Sequence, residues 1–454
     1  MKTAIIIGAG ISGLAAAWQL KRLGADVLVL ESRDRPGGVM QGMDRDGFRV
    51  EFGPSEMMLK SVAMERLIGD MGLGGKLRRA NPEASRRYIV RDGRPVALPT
   101  SPLQGVFSPI LSLRGKLGLA TEWTVPRSYL EDESVSAFVR RRIGQDFLDY
   151  AVGPLVSGIF AGDPDSLSMR FAFPALWDLE KRHGGMLRGA IGKMRERRSG
   201  GAPAYKRELV SFEGGMQALP DALAANLGDA LLTSARVSEI ERSRVGWTVR
   251  WESEGIECCE SARKLVLAVP AHAVGSLPLP AAMLDALAPL AQLPYSPVTT
   301  VFTGFRRGDV AHPLDGFGVL VPRKESRGMI GSLFLSSLFP GRAPEGHVAM
   351  LSFVGGMYSP KHAAMPASGA AALVREELGR LLGLRGAPVF EHVHQWPQAI
   401  PHFPVGYQAT LDALAAAELR WPGLAVVGGY RGGPGTGDCL VKACEAATKL
   451  LQLD

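Results

Sequence analysis

The first twenty residues, MKTAIIIGAGISGLAAAWQL (residues 1–20), decide which fold this chain can adopt. A lysine, an apolar run and several small residues resemble a secretory signal peptide, but no A-x-A-like cleavage site follows the run. The alternative is a buried strand at 3–7, a glycine turn and the start of a helix. Only this second interpretation accounts for the spacing of Gly8, Gly10 and Gly13.

The three glycines have the G-x-G-x-x-G spacing of a dinucleotide-binding turn. In such a turn the first glycine permits a tight bend, and the second leaves space for a pyrophosphate. The third lets the following helix pack closely on the strand. The residues after Gly13 are typical of a helix over 14–23, which ends before Gly24.

Glu31 follows a second predicted strand, at 25–30, and lies 18 residues after Gly13. A carboxylate at this point is where a ribose hydroxyl needs a hydrogen-bond acceptor. A glycine motif alone is a weak signal, whereas strand, turn, helix, strand and acidic residue in register are a strong one. The sequence therefore predicts a Rossmann-like dinucleotide-binding domain.

The stretch after Glu31, SRDRPGGVMQGMDRDGFRVEFGPS, favours FAD over a nicotinamide cofactor. Arg33 and Arg35 lie beside Gly37-Gly38 and offer cations and bare backbone to a second ligand segment. A Phe-Gly-Pro turn at 52–54 follows. Simple NAD dehydrogenases do not need this extension, whereas large FAD enzymes use it to cover the flavin half of the cofactor.

The composition is that of a basic globular protein of two or three domains. Its 454 residues exceed the size of one growing core, and 46% apolar with 21% charged residues argues against disorder. The net charge of +7 favours anionic partners. Because the arginines are scattered and no helix-turn-helix or zinc-finger pattern accompanies them, no nucleic-acid partner is expected.

The patterns of cysteine, histidine and apolar residues predict where in the cell the protein resides and argue against a metal site. Four cysteines without a C-x-x-C pair predict a reduced, cytoplasmic setting. His392 and His394 would share one strand face, but no further ligand lies nearby in sequence, so no metal site is expected. No uninterrupted apolar stretch reaches the ~20 residues that span a bilayer.

The continuation ESRDRPGG (31–38) resembles the E-x-R-x-R-x-G-G pattern of the amine-oxidase-like FAD superfamily. That resemblance implies an α/β architecture: a discontinuous Rossmann-like FAD-binding domain, a mixed-sheet substrate domain and a helical insert. The expected FAD-binding domain comprises residues 1–75, 205–275 and 400–454. The expected substrate-binding domain comprises residues 76–103 and 276–399. The helical insert is expected over 104–204 and ends in a loop at 199–204.

Three longer segments, 161–193, 211–223 and 312–356, resemble the oxygen-dependent protoporphyrinogen oxidase family of bacteria and plants. The resemblance implies oxidation of protoporphyrinogen IX to protoporphyrin IX in three two-electron steps, with O2 reduced to hydrogen peroxide. FAD would carry the redox chemistry while the protein positions the substrate and shields the reaction.

The resemblance also implies roles for individual residues. Arg87 would hold a substrate propionate, because a guanidinium binds a carboxylate bidentately. Leu320, Leu333 and Phe353 would sandwich the tetrapyrrole, and Ala161 would line the pocket. The residues expected to contact FAD are Gly8, Gly10, Ile11, Ser12, Gly13, Glu31, Ser32, Arg33, Gly37, Gly38, Gly53, Pro54, Val237, Trp396, Gly429, Gly435 and Thr436. No catalytic acid or base is assigned.

Several alternatives stay open at this point. Coproporphyrinogen III could replace protoporphyrinogen IX as substrate, since its four carboxylates suit the basic chain. The fold also serves amine oxidases, polyene desaturases and non-enzymatic GDP-dissociation inhibitors. The basic charge and the apolar product predict peripheral attachment of the helical insert to an anionic cytoplasmic membrane. Monomer and homodimer are both compatible with the sequence.

Overall fold

The computed structural model describes residues 1–198 and 205–452. The loop predicted at 199–204 lies outside the described residues. Strands and helices occur in runs along the chain, with short 3-10 turns between some of them.

Strands are listed here in chain order: β1 Lys2–Ile7, β2 Val27–Leu30, β3 Gly42–Arg45, β4 Phe48–Glu51, β5 Met57–Leu59, β6 Leu77–Arg79, β7 Arg86–Arg91, β8 Arg94–Ala97, β9 Glu208–Phe212, β10 Leu231–Leu232, β11 Arg236–Arg242, β12 Trp247–Ser253, β13 Ile256–Leu267, β14 Tyr295–Arg306, β15 Gly316–Leu320, β16 Met329–Leu333, β17 His347–Gly355, β18 Phe390–Pro401 and β19 Leu424–Val426.

The helices follow the same order: α1 Ile11–Arg22, α2 Val62–Asp70, α3 Pro102–Phe107, α4 Leu113–Thr121, α5 Val135–Arg142, α6 Gln145–Phe147, α7 Gly153–Phe160, α8 Met169–Ala172, α9 Pro174–His183, α10 Met186–Arg198, α11 Ala218–Leu227, α12 Ala281–Ala291, α13 Leu335–Leu338, α14 Pro360–Ala363, α15 Ala367–Leu382, α16 Gln408–Arg420 and α17 Thr436–Leu451.

The first sheet is the predicted Rossmann-like sheet, with strand order β10-β2-β1-β13-β12-β11 and β19 paired to β13. β10, β2, β1, β13 and β19 run parallel, and β11 and β12 are antiparallel. The apolar residues of β1 are buried on both faces, as a parallel strand requires. One face packs on α1, α11 and α17 and the other on α12 and α16. Widely separated segments of the chain therefore build this one sheet.

The second sheet has strand order β18-β14-β17-β16-β15-β7-β8 and is mixed. Only the β7–β15 pair is parallel in the described sheet; the other neighbours are antiparallel. Side chains on one face, such as Val301 and Met350, pack on Val374 and Leu378 of α15. The opposite face contacts β4 of the first domain through Phe48 and is the face that matters for the site.

The insert is helical as predicted, but two of its helical stretches are interrupted. Residues 145–160 form α6, a π-helix over Leu148–Val152 and then α7. The helical backbone also breaks between α8 and α9 at Phe173, which has φ −132° and ψ 59°. Its neighbour Pro174 disfavours helical backbone at the preceding residue, which explains the break.

One edge of the second sheet is a single long strand. β18 runs to Pro401 and pairs along its length with β14. Trp396 therefore lies inside a strand and does not close its end. β6 pairs with β9 in a small three-stranded sheet with β5, whereas β7 and β8 join the second sheet.

None of the helices in the described part of the chain has both the length and the apolar character needed to traverse a bilayer.

Candidate functional site

The glycine turn after β1 has a different geometric requirement at each glycine. A Cβ on Gly13 would lie 1.9 Å from the Gly8 carbonyl oxygen, and Gly8 itself has φ +100°. Glycine is therefore required at both positions, at Gly13 because of the close contact and at Gly8 because of its positive φ. A Cβ on Gly10, in contrast, would meet nothing within 4 Å. The space that a side chain would fill at Gly10 is open, which is what a pyrophosphate lying against the backbone requires.

The first turn of α1 is suited to an anion. The helix begins at Ile11 with Gly10 as its N-cap, and its first turn carries no acidic side chain. Backbone N–H groups at a helix N-terminus lack intrahelical partners, and the helix dipole favours negative charge there. Ile11 and Ser12 thus lie where a phosphate would be bound by main chain.

Glu31 lies at the carboxyl end of β2, directly beside this turn. It is buried, and its Oε2 accepts a hydrogen bond from the Ala9 backbone N–H at 2.8 Å. Its Oε1 accepts from the Arg33 N–H at 3.0 Å and from the Ser32 hydroxyl at 3.4 Å. These bonds fix the carboxylate at the edge of the turn, where the sequence predicts a ribose acceptor.

The Gly37-Gly38 pair packs onto the glycine turn. The Gly37 N–H donates to the Ala9 carbonyl oxygen at 2.8 Å, and Gly37 forms a parallel bridge with Gly10. Gly38 has φ +60°, and a Cβ there would approach the Gly10 Cα to 3.3 Å. The second basic segment therefore continues the bare backbone of the first, as predicted for a cofactor longer than one nucleotide.

Residues 53–56, which we call the central turn, join three other parts of the predicted FAD site. A Cβ on Gly53 would lie 2.2 Å from the Val39 carbonyl oxygen, next to Gly38. Trp396 Nε1 donates a hydrogen bond to the Phe52 carbonyl oxygen at 2.7 Å, which fixes the start of the turn. Pro54, within the turn, is partly exposed. Just beyond the turn, Met58 approaches Gly437 near the α17 N-terminus.

The C-terminal glycine turn reaches the first one through α17. Gly435 is the N-cap of α17, and Thr436 is its first, buried residue. The Ser12 hydroxyl hydrogen-bonds the Cys439 thiol, and burial raises the pKa of that thiol to about 11. Gly429 packs on Cys439 and Pro434. This turn contributes a second uncapped helix start beside α1.

Val237 and the two histidines of β18 complete the surroundings. Val237 lies on β11, two residues after Ala235, whose N–H donates to the Glu31 carbonyl oxygen at 2.8 Å. Phe52 stacks on His392 and His394 with ring centroids 4.7 and 4.9 Å away. Burial lowers the pKa of both imidazoles, so they are neutral near pH 7.

The predicted substrate residues lie on one face of the second sheet. Cross-strand partners are Phe353 with Gly331, Leu333 with Gly318, and Gly318 with Arg87. Leu320 pairs with Gly331. Because directly paired residues project to the same face, Arg87, Leu320, Leu333 and Phe353 share it, and by the same rule so does Trp396. We call this surface the substrate face.

Arg87 is the free cation of the substrate face. Its side chain is exposed, and its guanidinium lies 5.7 Å from the Phe317 ring centroid. The neighbouring Arg86 pairs with Asp315, whereas Arg87 pairs with no carboxylate within residues 1–198 and 205–452. A guanidinium left free at the end of an apolar surface is placed to bind a ligand carboxylate.

The helix α7, which the sequence analysis did not assign to the site, lies over the substrate face. A Cβ on Gly158 would come within 2.8 Å of Leu320 Cδ2, so glycine is needed for this approach. Leu155 and Ile159 flank Gly158 on the same helix face and are 42% and 46% exposed. The i, i+3, i+4 spacing of these residues was the available signal. They form an apolar roof opposite the sheet.

Ala161 ends α7 in a left-handed conformation, with φ +45°. Its side chain is 4% exposed and packs on Val298 and Ile330. Its carbonyl oxygen accepts a hydrogen bond from the Met357 N–H at 2.8 Å. Ala161 therefore fixes the end of the roof over the sheet, beside the strand pair that carries Trp396.

A cavity of about 910 Å³ lies elsewhere, between the helical insert and α16. Phe171, Trp177 and Tyr407 line this cavity. Gly432 and Gly433 also line it and lie in the same glycine turn as the predicted FAD residues Gly429 and Gly435. The predicted substrate residues are not among its lining. We therefore place the site at the substrate face, where the predicted residues converge.

In the described part of the chain, no three His, Cys, Asp or Glu side chains cluster in a way that could hold a metal ion. The geometry instead defines a class of protein: a dinucleotide-dependent oxidoreductase in which a Rossmann-like cradle meets a second, mixed sheet.

Comparisons with known proteins assign this class to a family. The profile of the flavin containing amine oxidoreductases matches residues 11–451. Mitochondrial protoporphyrinogen oxidase of Nicotiana tabacum is 35% identical, covering 98% of this chain and 94% of its own. The chain belongs to the flavin-containing amine oxidoreductases, in the group that includes the protoporphyrinogen oxidases, and it is an FAD-dependent oxidoreductase.

Two further comparisons bear on fold and substrate. A crystal structure from Exiguobacterium sp. 255-15, 24% identical, has the same fold with a TM-score of 0.81 over 99% of both chains. Coproporphyrinogen III oxidase of Bacillus subtilis (strain 168) is 26% identical, covering 99% of this chain and 98% of its own.

The residues present fit FAD. The open space at Gly10 and the uncapped α1 terminus would receive the pyrophosphate, and Glu31 would receive the ribose. Gly37-Gly38 and the central turn would border the flavin half. Since FAD supplies the electron acceptor when bound, the chain's own contribution is to hold cofactor and substrate on adjoining surfaces.

Proposed function

We propose that this protein oxidises protoporphyrinogen IX to protoporphyrin IX, with O2 as the final acceptor and H2O2 as the reduced product. The observation that carries the proposal is the substrate face. Three apolar side chains on neighbouring strands adjoin a free guanidinium, and the same sheet face continues through Trp396 to the central turn. A large, mostly apolar tetrapyrrole with propionate groups fits this pattern.

The chain's residues divide the work between orientation and shielding. Leu333 and Phe353 on the sheet would offer an apolar surface to one face of a planar ring system, beside the contact between Leu320 and α7. Arg87 would fix one propionate and so set the register of the ring on the sheet. With a porphyrinogen bound, the apolar roof and sheet would reduce the access of water to the reacting carbon.

The deciding experiment is anaerobic mixing of the FAD-loaded protein with each porphyrinogen in turn. We expect protoporphyrinogen IX to bleach the flavin absorbance faster than coproporphyrinogen III at equal concentration. In a separate assay in air, three O2 should be consumed for each porphyrin formed, since six electrons leave in pairs. Faster reduction by coproporphyrinogen III would favour the second substrate, and no bleaching by either compound would contradict the proposal.

We also propose that the helical insert attaches the protein to the surface of an anionic membrane in the cytoplasm. Its apolar residues are unusually open to solvent: Phe107 is 79% exposed, Leu113 75% and Trp123 60%. Arg114 and Lys116 lie in the same helix as Leu113. Apolar side chains flanked by cations are typical of a helix that lies in a lipid interface.

Replacing both Leu113 and Trp123 with serine should weaken binding to vesicles containing phosphatidylserine by about tenfold. The apolar area inserted into the interface would be lost while FAD content stays unchanged. Co-sedimentation measures the effect, and Val245→Ser is the matched control because Val245 is 74% exposed in a distant hairpin. Equal binding of wild type to neutral and anionic vesicles would contradict the attachment.

A further inference from the structure

The cavity of about 910 Å³ between the helical insert and α16 has no part in the site at the substrate face. Its volume lies at the upper end of the range of ~300–1,000 Å³ that is typical of pockets for small-molecule ligands. A ligand that fills this cavity is therefore large, closer in size to a tetrapyrrole than to an amino acid.

The lining of the cavity is aromatic from its base to its mouth. Trp177, Phe403 and Tyr407 form the base and are nearly inaccessible to solvent. Phe171 forms a partly exposed wall, and its ring meets the Tyr407 ring edge-on at a centroid distance of 5.3 Å. Tyr129, at the mouth, is 89% exposed. Because aromatic rings pack well against one another, such a lining favours a ligand with a ring system of its own.

Two cations line the cavity without a carboxylate partner. Arg170 Nη2 donates a hydrogen bond to the Gln408 side-chain oxygen at 3.0 Å, and the guanidinium lies 5.3 Å from the Phe171 ring centroid. Lys181 Nζ donates to two backbone carbonyl oxygens and lies 4.5 Å from the Trp177 ring centroid. Among residues 1–198 and 205–452, neither cation forms an ion pair, so both charges are available to a ligand.

The two carboxylates of the lining do not cancel these cations. Glu131 and Asp178 are exposed, so water screens their charges. Arg170 and Lys181 are partly buried against aromatic rings, where a charge interacts more strongly than in bulk water. The cavity therefore favours an anionic group on its ligand, and the planar fork of Arg170 is suited to a carboxylate.

Along the chain, the mouth of the cavity adjoins the apolar residues proposed to contact the membrane. Residues 129–131, which we call the lip, are exposed and come shortly after Trp123. Lys181 Nζ holds the lip through the carbonyl oxygens of Ser128 and Leu130. An apolar ligand that exchanges with a lipid surface would therefore enter or leave past this lip.

The other end of the cavity reaches the C-terminal glycine turn. Gly432 and Gly433 line it, and the Tyr407 hydroxyl donates a hydrogen bond to the Tyr430 carbonyl oxygen. The predicted FAD residue Gly429 lies in the same turn. One turn of backbone thus borders both the cavity and the predicted cofactor site.

We propose that this cavity is a second ligand site that binds the porphyrin product, with its ring beside Phe171 and one propionate on Arg170. The inference rests on the proposed function. A porphyrinogen is puckered because sp³ methylene bridges join its pyrroles, whereas the oxidised porphyrin is planar and conjugated. The aromatic lining therefore favours the product over the substrate, and the site would hold the product on its way to the membrane.

The first test counts the porphyrin that binds to each chain. Equilibrium dialysis of protoporphyrin IX against the FAD-loaded protein, in detergent below its micellar concentration, should give two bound porphyrins per wild-type chain. One lies at the substrate face and one in the cavity. Leu411→Trp fills the wall of the cavity and should remove one of them. Leu419→Trp is the matched control, since Leu419 lies on the same helix and is 82% exposed, and it should retain both.

The second test addresses the cation, in an Arg87→Ala background that weakens binding at the substrate face. Adding Arg170→Gln should raise the Kd for protoporphyrin IX by about tenfold or more, because a charge-assisted hydrogen bond is lost. The dimethyl ester of the porphyrin, which has no carboxylate, should bind equally with and without this change. Arg182→Gln, at an exposed position of α9, should leave both Kd values unchanged.

The outcomes distinguish this inference from the proposed function, because porphyrin binding is measured without turnover. One porphyrin per wild-type chain, or two in folded Leu411→Trp, overturns the second site. If Leu411→Trp does not fold, equal Kd values with and without Arg170→Gln overturn it. If neither porphyrinogen reduces the flavin but the cavity variants still lose bound porphyrin, the proposed function fails and the cavity remains a site for planar aromatic acids.

Discussion

Gly10→Val should yield a folded but colourless protein. The side chain would project into the open space over the first turn of α1, where a Cβ meets no atom within 4 Å. Because this space is the expected position of the pyrophosphate, FAD affinity should fall by at least about 100-fold, roughly 2.7 kcal/mol. Flavin absorbance after gel filtration measures the loss, and circular dichroism checks the fold.

The matched control is Gly69→Val. Gly69 lies exposed in α2, and a Cβ there also meets nothing within 4 Å. Both variants thus add the same atoms to free space, but only Gly10 borders the predicted ligand. A normal flavin content in Gly10→Val would show that the pyrophosphate lies elsewhere.

Arg87→Ala should raise the KM for porphyrinogen by about 10–100-fold and leave FAD content unchanged. The reason is the loss of a charge-assisted hydrogen bond to a propionate, worth about 1.5–3 kcal/mol. Arg87 is exposed on the substrate face and is not part of the glycine turns, so its removal should not change FAD binding. Steady-state kinetics with protoporphyrinogen IX measures the change.

Two companions sharpen this experiment. Arg87→Lys keeps the charge but not the planar fork, so it should recover only part of the affinity. Arg86→Ala removes the adjacent exposed guanidinium, which pairs with Asp315, and should leave KM unchanged. If Arg86→Ala and Arg87→Ala raise KM equally, Arg87 contributes only general positive charge and does not bind the propionate specifically.

The cofactor half of the site could be predicted from the sequence because its signals are local. The strand, the three glycines and Glu31 lie within one short stretch, and each residue type has its own steric or hydrogen-bonding reason. The Rossmann-like fold is confirmed by the parallel sheet around β1. FAD as cofactor is confirmed by the family match over residues 11–451.

The substrate half depended on a family resemblance because its geometry is non-local. The pairings that place Arg87 beside Gly318 and Leu333 beside Leu351 join residues from separate strands. A register shift by one residue would turn each side chain to the opposite face. Sequence periodicity does not specify such pairings, so the shared face became visible only in the structure.

The roof and the buried contacts that hold the central turn escaped sequence reasoning for other reasons. The π-helix that precedes α7 is set by tertiary packing, and the helical pattern at 147–156 gives no sign of it. The sequence does not show that Gly158 must be glycine, because the requirement comes from its contact with Leu320. The Ser55 carbonyl oxygen accepts a hydrogen bond from the Ser211 hydroxyl, which is itself bonded to Arg342, far away along the chain.

The order of strands in the first sheet has a consequence for biosynthesis. β1 and its glycine turn are translated before the other strands of this sheet, yet β1 pairs with the distant β13, and β13 pairs with the still later β19. Closing such long loops is entropically costly and slow. β1 can pair with β2 early, but its other edge lacks β13 until more than half of these residues are made, a period in which a ribosome-associated chaperone has an apolar strand edge to shield.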